Sequence, residues 1–137
     1  MNAEFGAVKA ALASLAYPTF IVWATSPAPA QYLVLGGKGW ESPEDLPVCG
    51  LSDTLDTDIR VKAVTGTPEG VITMLTRIRN LLSPSLVETI LPLTGRRLSI
   101  RWVRSEFVDV DTDETITGTN RHPAFGVDTY HLTSEPS

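Results

Sequence analysis

The chain has 137 residues, 42% hydrophobic and 20% charged, with a formal net charge of −5 at pH 7. This length supports a single domain spanning residues 1–137, and the ordinary composition argues against wholesale disorder. The negative net charge argues against a nucleic-acid-binding protein that depends on bulk positive charge.

Membrane insertion and secretion are not expected from this sequence. No stretch reaches the roughly 18 consecutive apolar residues that a spanning helix needs. The N-terminal sequence does not resemble a signal peptide, because Glu4 precedes the apolar residues and Pro18 interrupts them. The single cysteine, Cys49, excludes an internal disulfide framework and suits a reducing compartment. We therefore expect a soluble protein that is made in the cytoplasm.

The first third of the chain predicts one helix and two strands. Residues 2–16 are predicted to be helical because apolar side chains recur there at helical spacing. These side chains are Phe5, Val8, Leu12 and Leu15. Residues 20–23 and 32–35 are rich in β-branched and aromatic residues, which favours two strands that could pair as a hairpin. Residues 36–47 contain three glycines and two prolines and are predicted to be an exposed loop carrying Trp40.

Residues 58–82 give the clearest local prediction. Alternating apolar and polar residues up to Thr65 indicate a strand, and the period then changes to that of an amphipathic helix. Thr67 can cap this helix, Pro68 suits its first position, and Glu69 complements its positive N-terminal end. One apolar stripe is predicted to face the core, formed by Val71, Met74, Leu75, Ile78 and Leu82.

The remaining sequence is dominated by predicted strands. Residues 86–91 are predicted to include a turn of helix, residues 97–104 alternate as a half-buried strand, and residues 107–111 extend that strand or form the next one. A last strand is predicted at 125–132, followed by a tail at 133–137. Helix, strands, helix and strands without repeated strand–helix–strand units predict an α+β domain. Its mostly antiparallel or mixed sheet would pack against the N-terminal helix and the central amphipathic helix.

Charges are unevenly distributed along the chain. Eight of the eleven basic residues fall between positions 60 and 104. Arg60 and Lys62 share one face of their strand, as do Arg97 and Arg101 of theirs, so a common sheet would join them into a basic surface. The segment 106–114 carries only acidic charges, namely Glu106, Asp109, Asp111, Asp113 and Glu114. Such asymmetry indicates either two solvated surfaces or complementary patches that meet between copies of the chain.

Two constellations resemble reactive sites, but neither has the required spacing. The run from Asp109 to Glu114 would need Gly and Glu at the sixth and twelfth positions of a calcium loop, where this chain has Glu114 and Asn120. A cysteine-nucleophile site would need residue types that the chain does contain, but their spacing matches no nucleophile turn. These residues are Cys49, His122, Asp128 and His131. We therefore predict no catalytic, cofactor-binding or metal-binding residues, and no enzyme.

Three segments carry a resemblance to a known family. They are the strand at 20–23 that follows an N-terminal helix, the strand–helix unit at 58–71, and the closing segment 121–132. With these segments, nearly the whole chain resembles the small tail terminator or tail-completion proteins of long-tailed bacteriophages. The resemblance implies a structural virion protein with an α+β protomer.

The resemblance also implies partners and a location. Copies would form a ring, hexameric in this family, at the head-proximal end of the tail tube, where it stops tube polymerisation and joins tail to head. The partners would be other copies, the tube protein and the head–tail connector, with DNA passing through without sequence-specific binding. Candidate contacts between subunits or with the lumen are Arg60, Lys62, Arg97, Arg101, Asp109, Asp111 and Asp113. The alternatives are another connector or neck protein, or, from a different class, a small enzyme or a non-specific nucleic-acid-binding protein.

Overall fold

The computed structural model describes residues 2–21, 30–37, 55–116 and 121–136. These residues form two α-helices and one seven-stranded mixed sheet, which confirms the predicted α+β class. The helices are α1 (Asn2–Leu12), which continues as a 3-10 turn, and α2 (Pro68–Leu82). The strands are β1 (Thr19–Ile21), β2 (Tyr32–Gly37), β3 (Leu55–Thr65), β4 (Thr89–Leu91), β5 (Arg96–Ser105), β6 (Asp109–Val110) and β7 (Ala124–Pro136).

The last strand, β7, lies at the centre of the sheet. The strand order is β1-β2-β3-β7-β5-β4, and β6 also pairs with β7. Every pairing is antiparallel except that of β1 with β2. The expected tail at 133–137 is therefore wrong for residues 133–136, which form the end of β7 and pair with both β3 and β5. Ser134 in this stretch is fully buried.

The predicted hairpin between the first two strands is also wrong. Thr19, Phe20 and Ile21 pair in parallel with residues 33–35, and the Leu33 N–H donates to the Pro18 carbonyl at 2.8 Å. Two parallel strands run in the same direction, so the connection must lead from the end of the first strand to the start of the second. A tight turn cannot make that connection. The predicted loop carrying Trp40 lies mostly outside the described residues, and its first two glycines, Gly36 and Gly37, belong to β2.

The predicted turn of helix at 86–91 is a short edge strand instead. A 3-10 turn at Pro84–Leu86 precedes β4, whose three residues pair with residues 98–100 of β5. The Ser83 hydroxyl, which is buried, donates to the Val87 carbonyl at 2.8 Å and accepts from the Trp102 N–H at 3.2 Å. These bonds tie the end of α2 to the edge of the sheet and hold the chain extended.

The strand and helix predicted at 58–82 are present, with the strand beginning earlier at Leu55. The Thr67 hydroxyl caps α2 by accepting from the Gly70 N–H at 3.1 Å, and Pro68 occupies the first turn. The five residues of the predicted stripe are all buried against the sheet. Burial of each such side chain contributes about 1.5–3 kcal/mol, so this stripe accounts for much of the attachment of α2.

Close approach of α2 to the sheet depends on a glycine of β7. A Cβ atom at Gly126 would lie 2.8 Å from Val71 Cγ1 and 2.9 Å from Leu75 Cδ1. Real Cβ atoms do not approach other atoms so closely, and the packed core leaves little room for either side chain to move. The absent side chain therefore sets the distance between helix and sheet.

A polar cluster attaches α1 to the other end of β7. Glu4 is buried and accepts a hydrogen bond from the Ser134 hydroxyl at 3.0 Å. Arg96 Nε donates to the same hydroxyl oxygen at 2.7 Å and lies 3.5 Å from Glu4 Oε1. Burial alone would raise the pKa of Glu4, but hydrogen bonds from its own backbone N–H and from Ser134 outweigh that effect and lower it.

Candidate interaction surface

The two faces of the sheet have opposite characters. Both helices pack on one face, where the alternate side chains of β3, β7 and β5 are mostly apolar and buried. We call this the covered face. The other set of alternate side chains points away from the helices, and we call that side the open face. The open face carries most of the charged residues of these three strands.

All four predicted basic residues lie on the open face. Arg60 and Lys62 are on β3, and Arg97 and Arg101 are on β5, with β7 between the two strands. The register places Arg60 opposite Thr129, which is in turn opposite Arg104. We call these five cations the basic band: Arg60, Lys62, Arg97, Arg101 and Arg104. The predicted common basic surface is therefore formed by one sheet.

Arg104 was not among the predicted candidates. Strict alternation from Arg101 would place Arg104 on the covered face, but the register shifts between Trp102 and Arg104. Such a β-bulge inserts one extra residue, here Val103, and returns the following side chain to the earlier face. No local pattern in the sequence marks this bulge, so only the cross-strand register reveals that Arg104 belongs to the band.

Three carboxylates and one histidine lie beside the cations on the open face. Asp56 and Asp58 of β3 lie next to His131 of β7, whose Nδ1 is 2.9 Å from Asp58 Oδ1 and whose Nε2 contacts Asp56 Oδ1. Arg101 is opposite His131 on its other side, and Glu135 is opposite Arg97. The open face therefore has five cations against three carboxylates, whereas the chain as a whole is acidic.

The acidic segment borders this basic band. Asp109 begins β6 opposite Phe125, and the Lys62 ammonium lies 4.8 Å from the centre of the Phe125 ring in a cation–π contact. We call the five carboxylate residues of this segment the acidic rim: Glu106, Asp109, Asp111, Asp113 and Glu114. All are exposed except Asp111, which is half-buried.

The acidic rim continues to the β2 side of the sheet. Burial raises the pKa of Tyr32, and the nearby Glu114 and Asp111 carboxylates raise it further. Asp111 Oδ1 accepts from the Asp113 N–H at 3.1 Å, which stabilises the turn. Val110 is 42% exposed, and β6 ends at this residue. The rim is thus a turn held by its own side chains rather than one face of a long strand.

A buried polar cluster on the covered face was not predicted. Asp128 of β7 is fully buried, and its Oδ2 lies 3.2 Å from Arg79 Nη2 of α2. The Ser105 hydroxyl donates to the other carboxylate oxygen, and the Arg79 guanidinium stacks 5.1 Å from the Trp102 ring. These contacts clamp α2 onto two strands, and their components are too far apart in sequence for spacing to connect them.

The residue types of a cysteine-nucleophile site do not form one cluster in the part of the chain that the structure describes. Asp128 and His131 lie on opposite faces of β7, and Cys49 is outside the described residues. His122 Nδ1 lies 2.6 Å from the Glu114 carbonyl oxygen.

Burial and the Asp128 carboxylate raise the pKa of Tyr130 far above its ordinary range, although Arg79 opposes this shift.

The described residues form neither a metal-binding cluster nor a membrane-spanning helix. Over residues 2–21, 30–37, 55–116 and 121–136, no group of three or more His, Cys, Asp or Glu residues could hold a metal ion. In the same ranges, neither helix combines the length and apolar character needed to cross a bilayer. Comparison with protein-family models finds no match to the chain, and comparison with curated proteins finds none either.

Proposed function

We propose that this chain is a structural virion protein, the tail terminator of a long-tailed bacteriophage, and not an enzyme. Six copies form a ring at the head-proximal end of the tail tube, stop its polymerisation and join tail to head. The ring contacts the tube protein and the head–tail connector, and DNA passes through it without sequence-specific binding. Assembly takes place in the host cytoplasm, and the mature location is the virion.

The observation that carries this proposal is the separation of charge on one surface. The basic band and the acidic rim occupy different places on the same protomer, so the band of one copy can meet the rim of the next. Contacts between two different patches are heterologous, and they close into a ring when the rotation between copies allows it. Opposite charges at such a contact guide the approach and fix its register.

Charge reversal provides the main test. We expect Arg97→Glu/Arg101→Glu and Asp109→Arg/Asp113→Arg each to weaken assembly, because each variant places like charges at every contact. Mixing the two variants should restore assembly in rings of alternating composition, because both kinds of contact then become complementary again. Mass photometry of the separate and mixed variants measures this, with wild-type protein at several salt concentrations as reference.

The result that would overturn the proposal is equally specific. Wild-type protein that stays monomeric up to high concentration, or reversed variants that assemble as the wild type does, would leave the charge separation as two solvated surfaces. A neighbouring connector protein is distinguished by location. Headless tails should carry a terminator at one end, detectable by immunogold labelling, whereas a connector should remain with the head.

The basic band also favours a second candidate, non-specific binding to nucleic-acid phosphates. This function predicts DNA affinity that falls steeply as salt rises, and it predicts that Arg97→Glu/Arg101→Glu abolishes that affinity. The Asp109→Arg/Asp113→Arg variant alone separates the two candidates. It leaves the basic band intact, so it should lose ring formation but keep its affinity for DNA.

A further inference from the structure

A wholly exposed phenylalanine follows the end of β5. Phe107 is 97% exposed and lies in the break between β5 and β6, where Val108 turns inward and packs against the core. Beside it is an open groove of about 630 Å³, lined by Ser105, Glu106, Phe107, Asp109 and Phe125. We call this the Phe107 groove. Large aromatic side chains are common anchors of protein interfaces, and an isolated one in water has no role in the core.

A second apolar feature lies on the same side of the sheet. Leu86 is 49% exposed, Val87 60% and Ile90 50%, and all three are in or just before the edge strand β4. We call these three residues the Ile90 edge. Ile90 is opposite Ser99 of β5, so the side chains two residues away on either side of Ser99 flank it on the open face. Those side chains are Arg97 and Arg101.

Both features are apolar at their centre, and they are flanked by opposite charges. Carboxylates of Glu106 and Asp109 flank the groove, whereas guanidinium groups of Arg97 and Arg101 flank the Ile90 edge. We propose that the Ile90 edge of one copy occupies the Phe107 groove of the next copy. Apolar contact at the centre and opposite charges around it match the usual arrangement of an interface core and its polar rim.

A second copy of the chain is the occupant of the Phe107 groove, because each copy carries both the groove and the Ile90 edge. One protomer cannot fill its own groove, since Ser99 and Phe107 are roughly 25 Å apart at the rise of a β-strand. The inference rests on the proposed function, because it assigns particular residues to the contact between ring subunits. It adds apolar anchors to a contact that was first assigned by charge alone.

Cysteine cross-linking tests the contact directly. In a Cys49→Ser background, Phe107→Cys on one copy and Ile90→Cys on a differently tagged copy should form a heterodimer under mild oxidation. Ile72→Cys is the matched control, because Ile72 is 55% exposed on the outer side of α2 and belongs to neither feature. The control should cross-link far less to Phe107→Cys at the same protein concentration.

A double variant with cysteines at both positions separates the inference from the proposed function. A ladder of cross-linked products beyond the dimer supports both, because it requires head-to-tail contacts. A ladder that stops at the dimer keeps the contact but overturns the ring. Wild-type assembly without a Phe107–Ile90 cross-link, or with equal cross-linking to Ile72→Cys, overturns the inference and leaves the ring standing.

Affinity gives an independent measure of the same contact. Phe107→Ser should raise the dissociation constant of assembly roughly thirtyfold, which is typical of losing a hot-spot aromatic side chain. Ile72→Ser should leave it unchanged. Both residues are exposed, so thermal unfolding of the protomer should be unaffected in both variants. An unchanged dissociation constant for Phe107→Ser would overturn the inference, and in that case the exposed phenylalanine does not contribute to self-association.

Discussion

The covered and open faces of the sheet are made from the same three strands, but they carry different kinds of side chain. On the covered face, apolar side chains from both helices and from the sheet form one core, in which Asp128 pairs with Arg79 and Glu4 pairs with Ser134. On the open face, β3 carries four charged side chains in succession, β5 and β7 carry charged side chains among serine and threonine, and several apolar residues at the edge stay exposed. The covered face therefore accounts for the stability of the protomer, and the open face is the surface to which we assign the proposed contacts between copies.

This difference means that a given residue type should have different effects on the two faces. Removal of a group from the covered face leaves a void or an unpaired charge in a medium that water does not reach. Removal of an exposed group of the same type from the open face lets in water, which replaces the lost contact. Matched pairs of substitutions, one on each face, measure the contrast while keeping the chemistry constant.

The largest expected difference is between two aspartates. Asp128→Ala should lower the free energy of unfolding by about 3 kcal/mol, because it leaves the partly buried Arg79 guanidinium without its carboxylate partner. Asp58→Ala on the open face also removes a carboxylate contact, 2.9 Å from His131 Nδ1, but it should cost less than about 1 kcal/mol. Urea unfolding of both variants provides the comparison. Equal costs would mean that the covered face is hydrated near α2.

Two glycines provide the next comparison. Gly126→Ala should destabilise the protomer by about 2 kcal/mol, because the added methyl group meets Val71 and Leu75 at under 3 Å. A Cβ atom at Gly36, on the open face of β2, would meet nothing within 4 Å. Gly36→Ala should therefore change stability by no more than about 0.5 kcal/mol. Differential scanning calorimetry would detect the contrast, and a stable Gly126→Ala variant would show that α2 can move away from the sheet.

Sequence patterns predicted which side chains are buried better than they predicted which segments lie side by side, and the reason is physical. The stripe of α2 and the alternation in β3 and β5 repeat at the period of the backbone, so burial of a helix or strand leaves a local signal. The pairing of residues on neighbouring strands leaves no such local signal in the sequence. The parallel pairing of β1, the bulge before Arg104 and the meeting of Asp128 with Arg79 all depend on register between distant segments.

The same limit applies to the candidate interaction surface. Opposite charge in segments 60–104 and 106–114 could be read from the sequence, and the structure gives their placement on one surface. The Phe107 groove could not be predicted, because a phenylalanine followed by valines at 108 and 110 suggests a buried strand rather than an exposed anchor. Its exposure results from the break between β5 and β6, which is set by pairing with β7.

The smallest expected effect is a pH dependence that distinguishes a buried carboxylate from an exposed one. The pKa of Glu4 is lowered in the folded protein from its ordinary value of 4.5. The ionised form therefore contributes stability above the unfolded pKa, and this contribution is lost as the pH falls through the folded pKa. Glu4→Gln should be less stable than the wild type at neutral pH, and the difference should shrink in acid below the ordinary value.

Glu88→Gln is the matched control, because Glu88 is exposed in the segment before β4. Its stability should follow that of the wild type at every pH, so any convergence seen with Glu4→Gln reports on the buried cluster and not on general acid unfolding. Denaturant midpoints measured from neutral pH into the acid range give both curves. A Glu4→Gln difference that stays constant with pH would mean that the ionisation of Glu4 is not coupled to folding, and that the loss comes from altered packing or hydrogen bonding rather than from the missing charge.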